Sequence, residues 1–176
     1  MTINETGERL EWKDPYNPFN SNKLYATADR WKTIRRGEPI APPRTVSIDP
    51  MNLCDEKCVF CNAEFVMDEN KGSRLQPDII DAIPDFLYGW NDGRYGVESV
   101  CVGGGGEALL NKHTGSMIEK LVERGIVVGI VTNGTQIDRN NNLEALSKCT
   151  WVGVSINGGT RETYRRVHQK DEFDHV

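Results

Sequence analysis

The sequence predicts an α/β fold with parallel strands, of the kind found in doubly wound sheets and in barrels. Four short runs rich in β-branched residues alternate with segments whose apolar residues recur at helical spacing. The last three runs start near positions 98, 126 and 151, and these intervals of 28 and 25 residues suit plain βα units of roughly thirty residues. In both architectures ligands bind beyond the carboxyl ends of the strands, so we expect the functional residues there.

The elements follow one another along the chain. The third and fourth strands are apolar nearly throughout, as expected of parallel strands that helices cover. Pro84 predicts a kink or a break in the second helix, and Thr160 is the expected N-cap of the last one. The predicted strands span 45–49, 98–103, 125–131 and 151–156, and the predicted helices span 22–36, 77–90, 114–124, 140–148 and a segment after Thr160.

The first part of the chain differs in composition from the rest. The segment 11–20 combines turn-forming residues with scattered aromatic residues, which indicates an extended arm. Glycine and proline end the helix that follows, and the sequence Ala-Pro-Pro-Arg at 41–44 leads into the first strand. We therefore expect an N-terminal arm and amphipathic helix over 1–43 and a core domain over 44–176.

Composition and charge exclude several classes of function. A chain of 176 residues with 38% hydrophobic and 27% charged residues is not collagen-like, disordered or membrane-embedded. The first ten residues are polar and mixed in charge, so they do not form a secretory signal, and we expect a cytoplasmic protein. The net charge of −5 makes nucleic acid an unexpected partner.

Three of the five cysteines, Cys54, Cys58 and Cys61, follow the first strand within eight residues. Three thiolates on one tight loop can converge on a polynuclear centre or on a single metal ion. A structural zinc site and an ordinary 4Fe–4S electron carrier each use four ligands, so three cysteines leave one position open for a small molecule. Disulfides fit poorly, since an intracellular cysteine cluster more often binds metal.

A zinc site with a distant fourth ligand is an open alternative. The candidates for that ligand are Cys101, Cys149, His113 and His168. As small buried hydrophobic residues, Cys101 and Cys149 need no function. The three histidines, which include His175, form no ligand-spaced pair on a helix and are expected to be ordinary polar residues.

A run of four glycines, Gly103–Gly106, and then Glu107 follow the second strand. Consecutive glycines let the backbone come close to a ligand. A phosphate-binding loop is excluded, because no Gly-Lys-Ser/Thr follows. A dinucleotide site would require a helix that opens on the glycines and an acidic residue at the end of the next strand, and both are missing here. Beside the glycines, Glu107 is suited to accept hydrogen bonds from an ammonium group.

The third and fourth strands also end in small polar residues, at 132–134 and at 155–159. Turn formation alone would explain either of these segments. All four strands, however, end in cysteines, in glycines with an acid, or in a compact polar cluster. This coincidence predicts one shared site at one face of the sheet.

With these motifs, the chain resembles the radical S-adenosylmethionine (SAM) superfamily. The resemblance rests on the cysteine triplet with the aromatic Phe60 before its last member, and on Gly-Gly-Glu at 105–107. The segments 132–134 and 155–158 support it, and it covers roughly residues 45–170. It implies an incomplete (β/α)6 partial barrel with about four parallel strands, preceded by a helical and extended lead-in.

The resemblance also implies a cofactor site and a reaction. The cysteines would hold three irons of a 4Fe–4S cluster, and the amino and carboxylate groups of SAM would chelate the fourth. One electron, from a donor such as flavodoxin or ferredoxin, would cleave SAM to a 5′-deoxyadenosyl radical that takes hydrogen from an unknown substrate, expected to be a peptide or a small molecule. The implied SAM-binding residues are Phe60, Gly104, Gly105, Gly106, Glu107, Asn133, Ser155 and Asn157.

The chain departs from the family pattern at three places. Ala108 replaces the usual proline after Gly-Gly-Glu, and Asn157 stands where many members have aspartate. The fifth and sixth strands are missing, so we expect a truncated core domain that lacks the last two βα units. The alternative from another class is a noncatalytic zinc-binding or scaffold domain with a degenerate barrel.

Overall fold

A computed structural model describes residues 27–63 and 72–176, and within them the chain has the predicted α/β fold. The arm predicted over 11–20 and the first residues of the helix predicted from 22 lie outside the described residues. The strands are β1 (Thr45–Ile48), β2 (Ser99–Val102), β3 (Val127–Thr132) and β4 (Trp151–Val154), and the helices are α1 (Ala28–Arg35), α2 (Pro77–Gly89), α3 (Thr114–Glu123), α4 (Asn142–Ser147) and α5 (Arg161–His168), with a 3-10 turn at Ala108–Leu110.

The four strands form one parallel sheet in the order β1-β2-β3-β4. Val100 of β2 pairs with Val46 on one side and with Val128 on the other, and Ile130 pairs with Val152. Because every strand runs in the same direction, all four carboxyl ends meet at one edge of the sheet. The loops that carry the predicted motifs therefore emerge side by side.

Helices α2 and α3 contribute to the apolar core with one face each. Met117, Ile118 and Leu121 of α3 are fully buried in the same cluster as the valines of β2. Helix α2 continues through Pro84, so the predicted break is wrong. The proline costs one backbone hydrogen bond, but its ring lies on the buried face of the helix, four residues after Ile80, where apolar burial offsets that cost.

Helix α1 is joined to the core by a buried arginine. The Arg30 guanidinium donates to the Pro42 carbonyl and to the Glu98 carboxylate, both at 2.8 Å. Arg44 contacts the other oxygen of Glu98 at 2.7 Å. The apolar residues Trp31 and Ile34, by contrast, are exposed, so the described part of α1 is held by charge and not by an apolar stripe.

Helix α5 begins as predicted at Thr160, whose hydroxyl accepts from the Thr163 amide in a capping box. Gly158 packs against the first turn, since an added Cβ would lie 2.5 Å from the Tyr164 nitrogen. Tyr164, on the inward face of this helix, is fully buried. In the part of the chain that the structure describes, no helix is long and apolar enough to cross a membrane.

Candidate functional site

One cavity of about 240 Å³ lies at the carboxyl ends of the strands. Its wall is built from the cysteine loop, the glycine run and the ends of β3 and β4. The three cysteines of the triplet and all the implied SAM contacts line it, namely Cys54, Cys58, Phe60, Cys61, Gly104, Gly105, Gly106, Glu107, Asn133, Ser155 and Asn157, while the alternative zinc ligands Cys101, Cys149, His113 and His168 do not.

The cysteine loop is anchored through its backbone to the end of α5. The amides of Lys57 and Val59 donate to the carbonyls of His168 and Val167, at 3.1 and 2.9 Å. These two bonds flank Cys58 and fix its position. Within the loop, the Cys61 amide donates to the Cys58 carbonyl at 2.9 Å and closes a turn. Backbone hydrogen bonds within the protein thus fix the conformation of the cysteine loop.

The thiols of Cys54 and Cys58 lie in an environment that keeps them protonated in the absence of a metal. Burial raises the pKa of Cys54 to about 11. Burial, with a further contribution from the Glu56 carboxylate, raises the pKa of Cys58 to about 12. A metal centre that binds here must therefore displace protons from the thiols, as metal thiolate sites generally do.

The three thiols do not form a compact ligand group of the kind that one metal ion binds. Among the described residues, the one group of three potential ligand atoms within 4.8 Å of one another belongs to Glu56, Cys58 and His168, not to the cysteine triplet. With Zn–S bonds of about 2.3 Å, a tetrahedral zinc ion would need sulfur atoms about 3.8 Å apart. A polynuclear cluster, in which each thiolate binds a different metal atom, accommodates a wider spacing.

The glycine run lets the end of β2 pack against the segment that leads into the cysteine loop. A Cβ added to Gly106 would lie 2.4 Å from the Met51 carbonyl oxygen and 2.6 Å from that of Leu53. One added to Gly105 would lie 2.7 Å from the carboxylate of Asp49, which accepts a hydrogen bond from the Gly105 amide. The absence of side chains at Gly105 and Gly106 thus allows this close packing and also leaves access to the cavity.

The Glu107 carboxylate is largely engaged within the protein. It accepts hydrogen bonds from the amides of Leu109 and Asn133, at 2.9 and 2.7 Å, and from the Thr132 hydroxyl at 2.8 Å. Burial raises its pKa, while these hydrogen bonds act in the opposite direction. Three of about four acceptor positions are filled, so only one position and the backbone of this edge are left for a ligand.

Asp55, between the first two cysteines, ties the cysteine loop to the loop after β3. Its carboxylate accepts from Asn133 Nδ2 at 2.8 Å and from the Thr135 hydroxyl at 2.7 Å. Lys170 lies 3.2 Å from the same carboxylate. Burial alone would raise the pKa of Asp55, but these hydrogen bonds hold it below its usual value. Asn133 is thereby fixed beside Cys54, with Nδ2 3.8 Å from the sulfur.

The expectation that every histidine is an ordinary polar residue is wrong for His168. Its side chain is fully buried, and its Nδ1 lies 2.8 Å from Glu56 and 3.3 Å from the Cys58 sulfur. No ligand-spaced partner marks His168 in the sequence, because Glu56 and Cys58 lie more than a hundred residues away. The one available signal is Glu56 within the cysteine loop, since a charged residue that becomes buried, as Glu56 does, needs a partner.

Comparisons with known proteins agree with this architecture. A family model described as the radical SAM superfamily matches residues 48–176. The crystal structure of Streptococcus suis SuiB bound to the precursor peptide SuiA is similar with a TM-score of 0.61 and 19% identity, over 98% of this chain and 36% of that chain. TYW1 with a lysine-pyruvate adduct bound is similar with a TM-score of 0.53 and 17% identity, over 75% and 48%.

BtrN in complex with AdoMet and 2-DOIA is similar with a TM-score of 0.50 and 16% identity, over 70% of this chain and 50% of that chain. At such identities the similarity shows the fold alone. The fold of these structures is similar to that of this chain, with its four-stranded sheet. The chain spans between about a third and a half of their lengths. No curated protein matches it.

Proposed function

The chain belongs to the radical SAM superfamily, and from this premise we propose that Cys54, Cys58 and Cys61 hold a 4Fe–4S cluster whose open position binds SAM. The supporting observation is the single cavity at the carboxyl ends of the strands, which all three cysteines and all the predicted SAM contacts line. These residues come from four separate loops, which the parallel strands bring together at one edge of the sheet.

The donor set fits a cluster with an open position. The cavity wall contains three cysteines, while Cys101 belongs to β2 and Cys149 packs against the apolar core. Three thiolates bind three irons and leave the fourth free for an exogenous ligand. The triplet does not form a compact ligand group for one tetrahedral ion, which points the same way.

Each side of the cavity has a distinct task in this proposal. Cys54, Cys58 and Cys61 would hold the cluster, which would supply the one electron needed for reductive cleavage of bound SAM and so for hydrogen abstraction from the substrate. Gly104–Glu107 present backbone polar groups to the SAM ammonium group. Asn133, Ser155 and Asn157 would offer polar contacts to the ribose or the carboxylate, and the backbone at Phe60 would contact the adenine.

The substrate and the electron donor belong to the same proposal. A peptide or a small molecule is the proposed substrate class, in line with SuiB, whose structure contains a precursor peptide. A flavodoxin- or ferredoxin-type carrier is the proposed donor. The proposed core domain covers 44–176, close to the 48–176 that the family model matches.

A zinc-binding scaffold is the second candidate, because one predicted fourth ligand lies beside the triplet. His168 is 3.3 Å from the Cys58 sulfur, whereas His113 lines a different surface depression next to α2. Both nitrogens of His168, however, already contact oxygen acceptors, and the side chain does not line the cavity. The cluster is therefore the better supported proposal.

Anaerobic reconstitution with iron and sulfide tests the two candidates. We expect a brown protein with nearly equal iron and sulfide per chain, which yields 5′-deoxyadenosine from SAM and dithionite. Cys58→Ala should lose the cluster absorbance, while Cys149→Ala, outside the cavity, should retain it. About one zinc per chain without sulfide would favour the scaffold, and a colourless reconstituted protein would refute the cluster.

A further inference from the structure

A buried polar cluster lies against the cysteine loop, and one of its members, Glu56, also lines the cavity. We call the side chains of Glu56, Tyr164 and His168 the Glu56 cluster. Glu56 is 3% exposed, and Tyr164 and His168 are fully buried. The Tyr164 hydroxyl donates to Glu56 Oε1 at 2.6 Å, and His168 Nδ1 lies 2.8 Å from Oε2. Buried polar groups in proteins generally have hydrogen-bond partners, as these three side chains do.

The surroundings of the imidazole determine where its hydrogens lie. Nε2 is 3.2 Å from the Ile156 carbonyl oxygen. Nδ1 faces the Glu56 carboxylate and, at 3.3 Å, the sulfur of Cys58. A cysteine that ligates a metal is a thiolate without a hydrogen, so it too can only accept. A hydrogen on Nδ1 is therefore placed between a carboxylate and a thiolate.

The imidazole cannot turn away from this position. The ring of Tyr164 stacks on it with centroids 4.1 Å apart and an angle of 15° between the planes. The backbone bonds from Lys57 and Val59 to the end of α5 hold Cys58 at a fixed distance from the same helix turn. The contact between nitrogen and sulfur is thus set by packing and by backbone hydrogen bonds together.

We propose that His168, oriented by Glu56 and Tyr164, donates a hydrogen bond from Nδ1 to the Cys58 thiolate of the cluster and raises the cluster's reduction potential. This inference rests on the proposed function. Hydrogen bonds to the sulfurs of an iron–sulfur cluster are among the factors that set its potential, because they withdraw electron density and favour the reduced state. His168 is in this role a positioning residue, which acts through a ligand and not on SAM or substrate.

The test is an EPR-monitored redox titration of the anaerobically reconstituted 176-residue chain. His168→Leu removes the donor, and we expect a lower midpoint potential, equivalent to about a tenfold smaller equilibrium constant for reduction, or about 59 mV for one electron. His113→Leu, outside the cavity, is the matched control and should titrate as the wild type. A His168→Leu protein with a full cluster and an unchanged potential would overturn the proposal.

A second pair of variants covers the case in which His168→Leu does not assemble a cluster. Asparagine places its amide nitrogen near the position of Nδ1, and glutamine places its own near Nε2. We therefore expect His168→Asn to have a potential closer to the wild type than His168→Gln has. Equal potentials in the two variants would refute the role of Nδ1.

Iron and sulfide analysis of the wild type separates the two levels of the proposal. A wild-type chain without a cluster refutes the proposed function and this inference together. A wild-type chain with a cluster, whose potential is indifferent to the residue at 168, refutes the inference alone.

Discussion

Glu107 and Asp55 connect the loops that line the cavity through hydrogen bonds. Each carboxylate accepts hydrogen bonds from the loop after β3, and each belongs to a different neighbouring loop. Together they fix Asn133 through both its backbone amide and its side chain. The acids in this site therefore have a structural role in placing a neutral polar residue beside the cysteines.

Glu107→Gln tests this role. The variant replaces an oxygen acceptor with an NH2 group in a place where three donors converge, so one or more hydrogen bonds are lost. We expect the free energy of unfolding to fall by about 1–3 kcal/mol, measured by urea denaturation of the metal-free protein. Glu123→Gln, at the exposed end of α3, is the control and should change stability little. Equal stability of the two variants would contradict the hydrogen-bond account.

Gly106→Ala tests the packing of the glycine run against the segment before the cysteines. Because the new Cβ would meet the backbone oxygens of Met51 and Leu53, the segment must shift. We expect a loss of about 1–3 kcal/mol in unfolding free energy and weaker cluster assembly. Gly89→Ala is matched to it, since nothing lies within 4 Å of the added Cβ there and its φ is not positive. Gly106→Ala should be the less stable of the two, and the reverse order would exclude this explanation.

The site residues that the sequence predicts belong to local motifs, whereas those that it misses are defined by contacts between distant parts of the chain. The cysteine triplet and the glycine run are local patterns, so their spacing along the chain reveals them. Glu56 and His168 are 112 residues apart, and their contact exists only because the cysteine loop packs on α5. A single buried histidine has no local pattern that would distinguish it from an exposed one.

Among the elements, α1 and α2 show how tertiary contacts modify sequence patterns. The apolar spacing of α1 predicted a buried stripe, but the buried residue of the described helix is Arg30. Pro84 predicts a kink or a break in α2, but the helix is continuous, because burial of its apolar face offsets the lost hydrogen bond. In both helices, contacts between residues far apart in the sequence determine the observed structure, and the local sequence pattern does not reveal these contacts.

Arg30→Met tests how α1 is attached. The substitution keeps an unbranched apolar stem but removes the hydrogen bonds to Pro42 and Glu98, while Glu98 retains Arg44. Hydrogen bonds to charged groups are worth about 1.5–3 kcal/mol each, so we expect amide hydrogen exchange in α1 to accelerate about tenfold or more. Arg35→Met, on the exposed side of the same helix, should leave exchange unchanged. Equal exchange in both variants would show that other contacts hold α1.

On the scale of the whole molecule, the direction of the strands determines the site. Four parallel strands in chain order bring four loops to one edge, and this much follows from the alternation of strand and helix patterns in the sequence. The individual side-chain directions do not follow, because they depend on the packing of each loop against its neighbours. The same topology explains why residues from position 54 to position 157 line one cavity.

The EPR spectrum of the reduced, reconstituted chain with and without SAM tests the central claim most directly, namely that the three cysteines hold a cluster with an open position. We predict a cluster signal in the absence of SAM and a changed signal after SAM is added, since SAM would bind the iron that no cysteine holds. Cys58→Ala should show neither signal. A cluster spectrum that SAM leaves unchanged, or a reduced wild-type protein without a cluster signal, would contradict the account.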